Sequence, residues 1–213
     1  MKTISLRSGI ITMIIILIAS TIVRIFGPVV CDSIVQKGFA MDIVAPYYGH
    51  ISFGIRVINS MGLIVLGILM AQIDRNHTLS IWGGRLMAIG GVISLVYAII
   101  VFISLNTSIF LASAPVRATF NIIENVLSWS ALIMIACYYN KNDFIRSAII
   151  YVVIGLIING HYVWSLLTQE NYNPNYVMGC FTSLIGLTLI LIYFFKWLKL
   201  TQTETEQPII PPK

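Results

Sequence analysis

Residues 117–138 read RATFNIIENVLSWSALIMIACY, a stretch long enough to cross a hydrocarbon core of ~30 Å as a helix. The second half is apolar from Ala131 through Ile135, but Arg117, Asn121, Glu124, Asn125 and Ser128 interrupt the first half. At 100° per residue, with Arg117 at zero, Glu124 falls at roughly −20°, Ser128 at roughly +20°, Asn121 at roughly +40° and Asn125 at roughly +80°. The polar groups share one face, and Ile122, Ile123, Val126 and Leu127 cover the other. A spanning helix that is polar on one face, at one end only, is built to meet something wet inside a bundle.

The rest of the chain supplies the bundle. Its 213 residues are 58% hydrophobic and 10% charged, with a mean hydropathy of +0.90, far above the balance of a soluble domain. Six apolar stretches can be read, at 9–30, 51–73, 82–105, 117–138, 147–168 and 175–198. The expected fold is an all-α, polytopic six-transmembrane-helix bundle forming one domain over 1–199. Residues 200–213, polar and proline-bearing, read as a short disordered tail. The opening MKTISLRSG has the look of a signal peptide, but the apolar run continues through Arg24 to Val30 with no small-x-small cleavage pattern, so it reads as a span.

Basic residues set the expected orientation. Lys2, Arg7, Arg75, Arg85, Lys141, Arg146, Lys196, Lys199 and Lys213 fall on one side of the six spans, nine of the thirteen lysines and arginines. The positive-inside rule then puts both termini in the cytoplasm of a cell's cytoplasmic membrane. The net charge of +5 is mostly this topology signal, and no basic stripe with interleaved aromatics points to nucleic acid. Between the first two spans, Cys31–His50 is long and apolar, which suggests a short interfacial helix folded over the outer mouth and ended by Pro46. Cys31 and Cys180 fall toward the outer side, where a disulfide between them is open, and Cys137 falls toward the inner.

The same wheel test finds polar faces elsewhere. Ser52, Arg56, Asn59 and Ser60 lie within roughly 100° of arc on the second span; Ser20 and Arg24 share a face of the first, and His161, Trp164, Ser165 and Thr168 a face of the fifth. All are in the outer halves, and the inner halves are nearly free of charge. An ionised side chain at the centre of a span costs ~2.5–3.5 kcal/mol, so these groups should face one another or a water-filled recess. The expected site is an outward-facing recess lined by Arg56, Asn59, Arg117, Asn121, Glu124, Asn125, His161 and Trp164, with Arg56 and Glu124 in one compartment. Three arginines against one glutamate favour a small anionic or zwitterionic ligand, or a lipid headgroup carrying carboxylate or phosphate.

Blander readings stand beside this one. Arg24 and Arg117 are near enough to the interface to snorkel, Arg56 and Glu124 make sense as a register-fixing ion pair, and His161 as an ordinary bundle histidine. Gly84 and Ala88, then Gly90 and Ser94, are four apart on the third span and allow close helix approach, either within the chain or to a membrane-protein partner or second copy. Catalysis has little support: there is no GxSxG, no HExxH and no CxxC, and neither a metal nor another cofactor is expected. Three functions remain: a binding subunit for transport or sensing, a non-catalytic assembly subunit, or a small enzyme acting on lipid. Six spans with a folded first outer loop and an outward pocket look like the layout of the substrate-binding membrane subunits of energy-coupling-factor vitamin importers. That likeness is one of layout, with no motif residue behind it, and no family is assigned on it.

Overall fold

The computed structural model describes residues 5–37, 41–106, 113–168 and 176–206. They form six helices: α1 (Leu6–Gln36), α2 (Met41–Ile73), α3 (Thr78–Asn106), α4 (Ala114–Tyr139), α5 (Asn142–Thr168) and α6 (Tyr176–Glu206). Each expected span falls on one helix, and all six helices are long and apolar enough to cross a membrane. The protein is an all-α, multi-pass integral membrane protein. A possible pairing of Cys31 with Cys180 involves side chains outside the described ones.

Chain order is also spatial order. Each helix packs on its neighbours in sequence, and α6 returns to α1, so the six form a closed ring. Short turns enforce this at the end that carries the termini. Asp74 closes the α2–α3 turn by accepting from the Asn76 N–H (3.0 Å) through Oδ1 and from the His77 N–H (3.2 Å) through its backbone carbonyl. Asn140, left-handed at φ 49°, caps α4 with its N–H on the Cys137 carbonyl, so α5 can begin two residues later. At the far end Pro115 lies in the first turn of α4, where its missing N–H is not needed.

The tightest seam joins α2 to α3. A Cβ on Gly67 would stand 2.5 Å from the Gly84 carbonyl oxygen and 2.6 Å from the Ala88 nitrogen, so the two backbones touch where only glycine fits. Gly91 likewise abuts the Ser60 carbonyl, Gly90 faces Leu127 and Ser128 of α4, and Ser94 is buried. The small residues of α3 are therefore used within the chain, facing α2 and α4. Of the two uses open to the stripe, packing within the chain is the one the fold makes.

The half of the ring nearest the termini is filled. Ile10, Met13, Leu66, Met70, Leu132, Ile135, Phe144, Tyr193, Phe194 and Trp197 are buried there in one cluster. The Tyr193 ring lies 4.5 Å from that of Phe144, tilted by 33°, and its hydroxyl donates to the Leu132 carbonyl at 2.9 Å. That bond ties α6 to α4 across the centre of the ring. Ser80 ties α3 to the Met70 carbonyl of α2 (2.8 Å), and Lys196 ties α6 to the Asp143 carbonyl of α5 (2.8 Å).

Two expectations about the ends need correction. Most of the apolar segment after Cys31 is no interfacial fold: α1 runs on to Gln36, and α2 begins at Met41 and passes through Pro46. Pro46 is the sixth residue of α2, near enough to the helix start that it removes one hydrogen bond without ending the helix. At ~1.5 Å per residue, the 31 and 33 residues of α1 and α2 exceed the ~30 Å core by about seven turns in total. The other correction is at the tail, where α6 extends to Glu206, so residues 200–206 are helical, while 207–213 lie outside the described residues.

Candidate functional site

On the far side of the aromatic cluster the ring encloses a cavity of about 350 Å³, bounded by α1, α2, α4, α5 and α6. Its wall contains Arg24, Arg56 and Glu124, four asparagines (Asn59, Asn121, Asn125, Asn159), and the hydroxyls of Ser20, Thr21, Tyr151, Thr182 and Ser183. Two arginines against one glutamate give this lining one net positive charge. The floor is apolar: a compartment of about 160 Å³ below Asn59 and Glu124 is walled by Met13, Leu63, Met87, Leu132 and Phe194, which belong to or border the packed half. A side compartment of about 190 Å³ reaches between α1 and α2 to Ser94 of α3 and shares Arg24, Arg56, Asn59 and Glu124 with the main cavity.

Three helices hold Arg56. Its guanidinium carbon lies 4.5 Å over the Tyr97 ring of α3, and that ring stacks at 5.2 Å on Phe120 of α4. Its Nη2 lies 3.7 Å from Glu124 Oε2. This is a long contact, since charge-assisted N–H···O bonds close to ~2.7–2.9 Å. The two side chains keep 39% and 25% of their surface open, so neither has spent its hydrogen-bonding capacity on the other. The aromatic ring fixes where the cation sits while leaving its in-plane N–H groups available.

The asparagines behave in a related way. Asn125 donates to Asn121 Oδ1 at 3.0 Å and Asn159 donates to the Gly155 carbonyl at 2.9 Å. Both bonds run along a single helix. Asn59 lines all three compartments, and its Oδ1 is buried with no partner among the described residues. An unsatisfied buried acceptor costs ~1–3 kcal/mol and is a natural recipient for a donor on a bound molecule.

Of the residues expected at this site, Arg56, Asn59, Asn121, Glu124 and Asn125 come together around the cavity, and three do not line it. Arg117 is on the same face of α4 but ~6 Å further toward the far end; it is half-buried, with its Nε lacking a partner among the described residues. His161 is exposed, and Trp164, 65% exposed, borders a different groove between α4 and α5. The face of α5 turned inward carries Tyr151, Gly155 and Asn159, at i, i+4 and i+8, roughly 150° away from the face with His161 and Trp164. That row of one tyrosine, one glycine and one asparagine was the signal available in the sequence. Arg24, Ser20, Thr21, Thr182 and Ser183 complete the polar lining. Among the described residues no group of three or more His, Cys, Asp or Glu converges as metal ligands do.

No family model, no curated protein and no solved structure matches this chain.

Proposed function

We propose that this membrane protein binds a small polar molecule or headgroup bearing a carboxylate or phosphate in the cavity between its helices. The observation that carries the reading is the state of Arg56. It is held in place by Tyr97, only loosely met by Glu124, and open to a cavity with net positive charge and an unpartnered amide oxygen. A guanidinium kept in a membrane at this depth is costly, and an anion brought to it would form charge-assisted bonds in a low-dielectric surrounding. The packed aromatic half closes the cavity toward the termini, so a ligand comes from the other side or from the membrane.

Gly186 gives a direct test. It lines the cavity, and a Cβ there would meet nothing within 4 Å, so a larger side chain fills the cavity without displacing the helix. In neutral detergent at constant ionic strength, millimolar phosphate, glycerol 3-phosphate or a short carboxylate is expected to raise the Tm of the native protein, by linkage. Gly186→Leu is expected to fold normally and to lose that response. An equal response in Gly186→Leu, or none from any of these anions in the native protein, would sink the reading.

We place the protein in a cytoplasmic membrane with both termini in the cytoplasm and the cavity on the outer side. The support is the bias of lysine and arginine toward the terminus-bearing end. Reporter fusions after Lys213 are expected to be active only with a cytoplasmic reporter, and fusions between Asn106 and Ala114 only with an external one. The reverse pattern would overturn the orientation.

A further inference from the structure

A second hollow lies against the cavity just described. On the outside of the ring, α4 and α5 leave a groove of about 320 Å³ lined by Ile122, Val126, Trp129, Leu156, Val163 and Trp164. It extends ~12 Å along α5. Three polar residues interrupt its apolar wall, Asn121, Asn125 and Asn159, and the same three line the central cavity. The asparagines thus form the partition between a lipid-facing groove and a polar interior. Since each of their hydrogen bonds runs along its own helix, they do not tie α4 to α5.

That placement is unusual for a helix face turned to lipid. Amide groups bordering hydrocarbon are unfavourable unless something polar meets them. A chain of ordinary bilayer lipid lying in the groove would leave them facing apolar carbon. A molecule polar at one end and apolar at the other satisfies both sides of the partition. We infer that the ligand of the cavity is an amphiphile, an anionic lipid whose small head passes between Asn121, Asn125 and Asn159 into the cavity while its chain stays in the α4–α5 groove. The inference rests on the cavity being a binding site and names the class of molecule it takes. Arg56 and Arg24 provide for the head's charge, and Ile122, Val126, Leu156 and Trp164 for the chain. Such a ligand arrives from the bilayer, where it is concentrated, while a free headgroup has to reach the same site from water.

Two glycines separate this from the simpler possibility of a water-borne solute. Gly160 borders the groove and Gly186 the cavity, and a Cβ on either meets nothing within 4 Å. Leucine at each plugs one compartment while leaving the other open. The probes are dioleoylphosphatidic acid, dioleoylphosphatidylcholine with the same chains and a zwitterionic head, and glycerol 3-phosphate. Lipid retention is read by native mass spectrometry and stabilisation by thermal unfolding. Phosphatidic acid is expected to be retained at least ten-fold more tightly than phosphatidylcholine and to act at least ten-fold below the concentration needed for glycerol 3-phosphate. Gly160→Leu is expected to weaken phosphatidic acid at least ten-fold while leaving the glycerol 3-phosphate response intact, and Gly186→Leu to remove both. Val126→Trp fills the same groove from α4 and serves if Gly160→Leu fails to fold. If glycerol 3-phosphate acts as well as the lipid and neither groove variant matters, the amphiphile is overturned and the cavity reading stands. Equal retention of both lipids in every variant would mean ordinary annular lipid and overturn the inference. If neither anionic probe responds to Gly186→Leu, the cavity reading fails with it.

Discussion

Gly67→Leu is expected to leave no stable folded bundle. The added side chain starts 2.5 Å from the Gly84 carbonyl oxygen and 2.6 Å from the Ala88 nitrogen, and both atoms are backbone of α3. No rotamer change relieves that collision, so α2 and α3 have to separate along the most extensive seam of the ring. Overpacking a core where side chains can shift costs ~1–3 kcal/mol; moving a helix should exceed the top of that range and take most of the ~5–15 kcal/mol that a folded domain has. Gly54→Leu on the same helix is the control, because nothing lies within 4 Å of a Cβ there. Size-exclusion profiles and thermal scans in one detergent should show an aggregated or unfolded Gly67 variant beside a monodisperse Gly54 variant. A Gly67→Leu protein with the native melting temperature would mean that α2 and α3 are not in backbone contact at this point.

The contrast between these two glycines shows what sequence pattern can and cannot tell. Glycine and alanine four apart on the third span were readable as a close-approach surface, and that is their use. The partner was not readable, because the motif states how near a backbone may come and not whose backbone it is. Here it is Gly67 and Ala71 of the preceding helix. Span existence was legible because mean hydropathy over twenty residues is a strong signal. The extensions of α1 and α2 were not, because Gly38 and Pro46 are ordinary loop punctuation and nothing local marks Pro46 as a second-turn proline of a long helix.

At the site, charge was easier to find than direction. Arg56, Asn59, Asn121, Glu124 and Asn125 stood out because ionisable and amide groups are expensive on a membrane helix, and all five line the cavity. On α5 the more conspicuous chemistry, His161 and Trp164, drew attention to one face, while the ring turns the less conspicuous Tyr151–Gly155–Asn159 row inward. A histidine or tryptophan at the edge of a span has uses at the interface that need no cavity. An asparagine one turn beyond a glycine, two turns from a tyrosine, is the weaker chemical signal but the better positional one. Direction comes from the closure of α6 onto α1, a long-range fact that no window of sequence contains.

Arg56 and Glu124 then decide between a structural pair and a binding site, and the two readings predict opposite outcomes. As a closed buried pair, either single change would strand the other charge at ~3–5 kcal/mol, and the double variant would recover much of it. The geometry argues for a smaller effect on folding: a 3.7 Å separation with both side chains partly open resembles a solvated pair, worth ~0–1 kcal/mol. Arg56→Met is therefore expected to unfold within a few degrees of the native protein and to lose the anion response. The loss of one charged hydrogen bond, ~1.5–3 kcal/mol, corresponds to roughly 10- to 150-fold in affinity. Glu124→Gln should act the other way. It keeps the shape, removes the negative charge competing for Arg56, and doubles the net positive charge of the lining from one to two, so anion affinity is expected to hold or rise. Thermal stability and anion titration on both single variants and the double variant separate the cases. Strong stability coupling with unchanged anion response would leave only the structural pair, whereas a Glu124→Gln protein that loses anion binding while still folding would mean that the carboxylate recognises the ligand itself, through a donor on it, and that the charge argument for an anion is wrong.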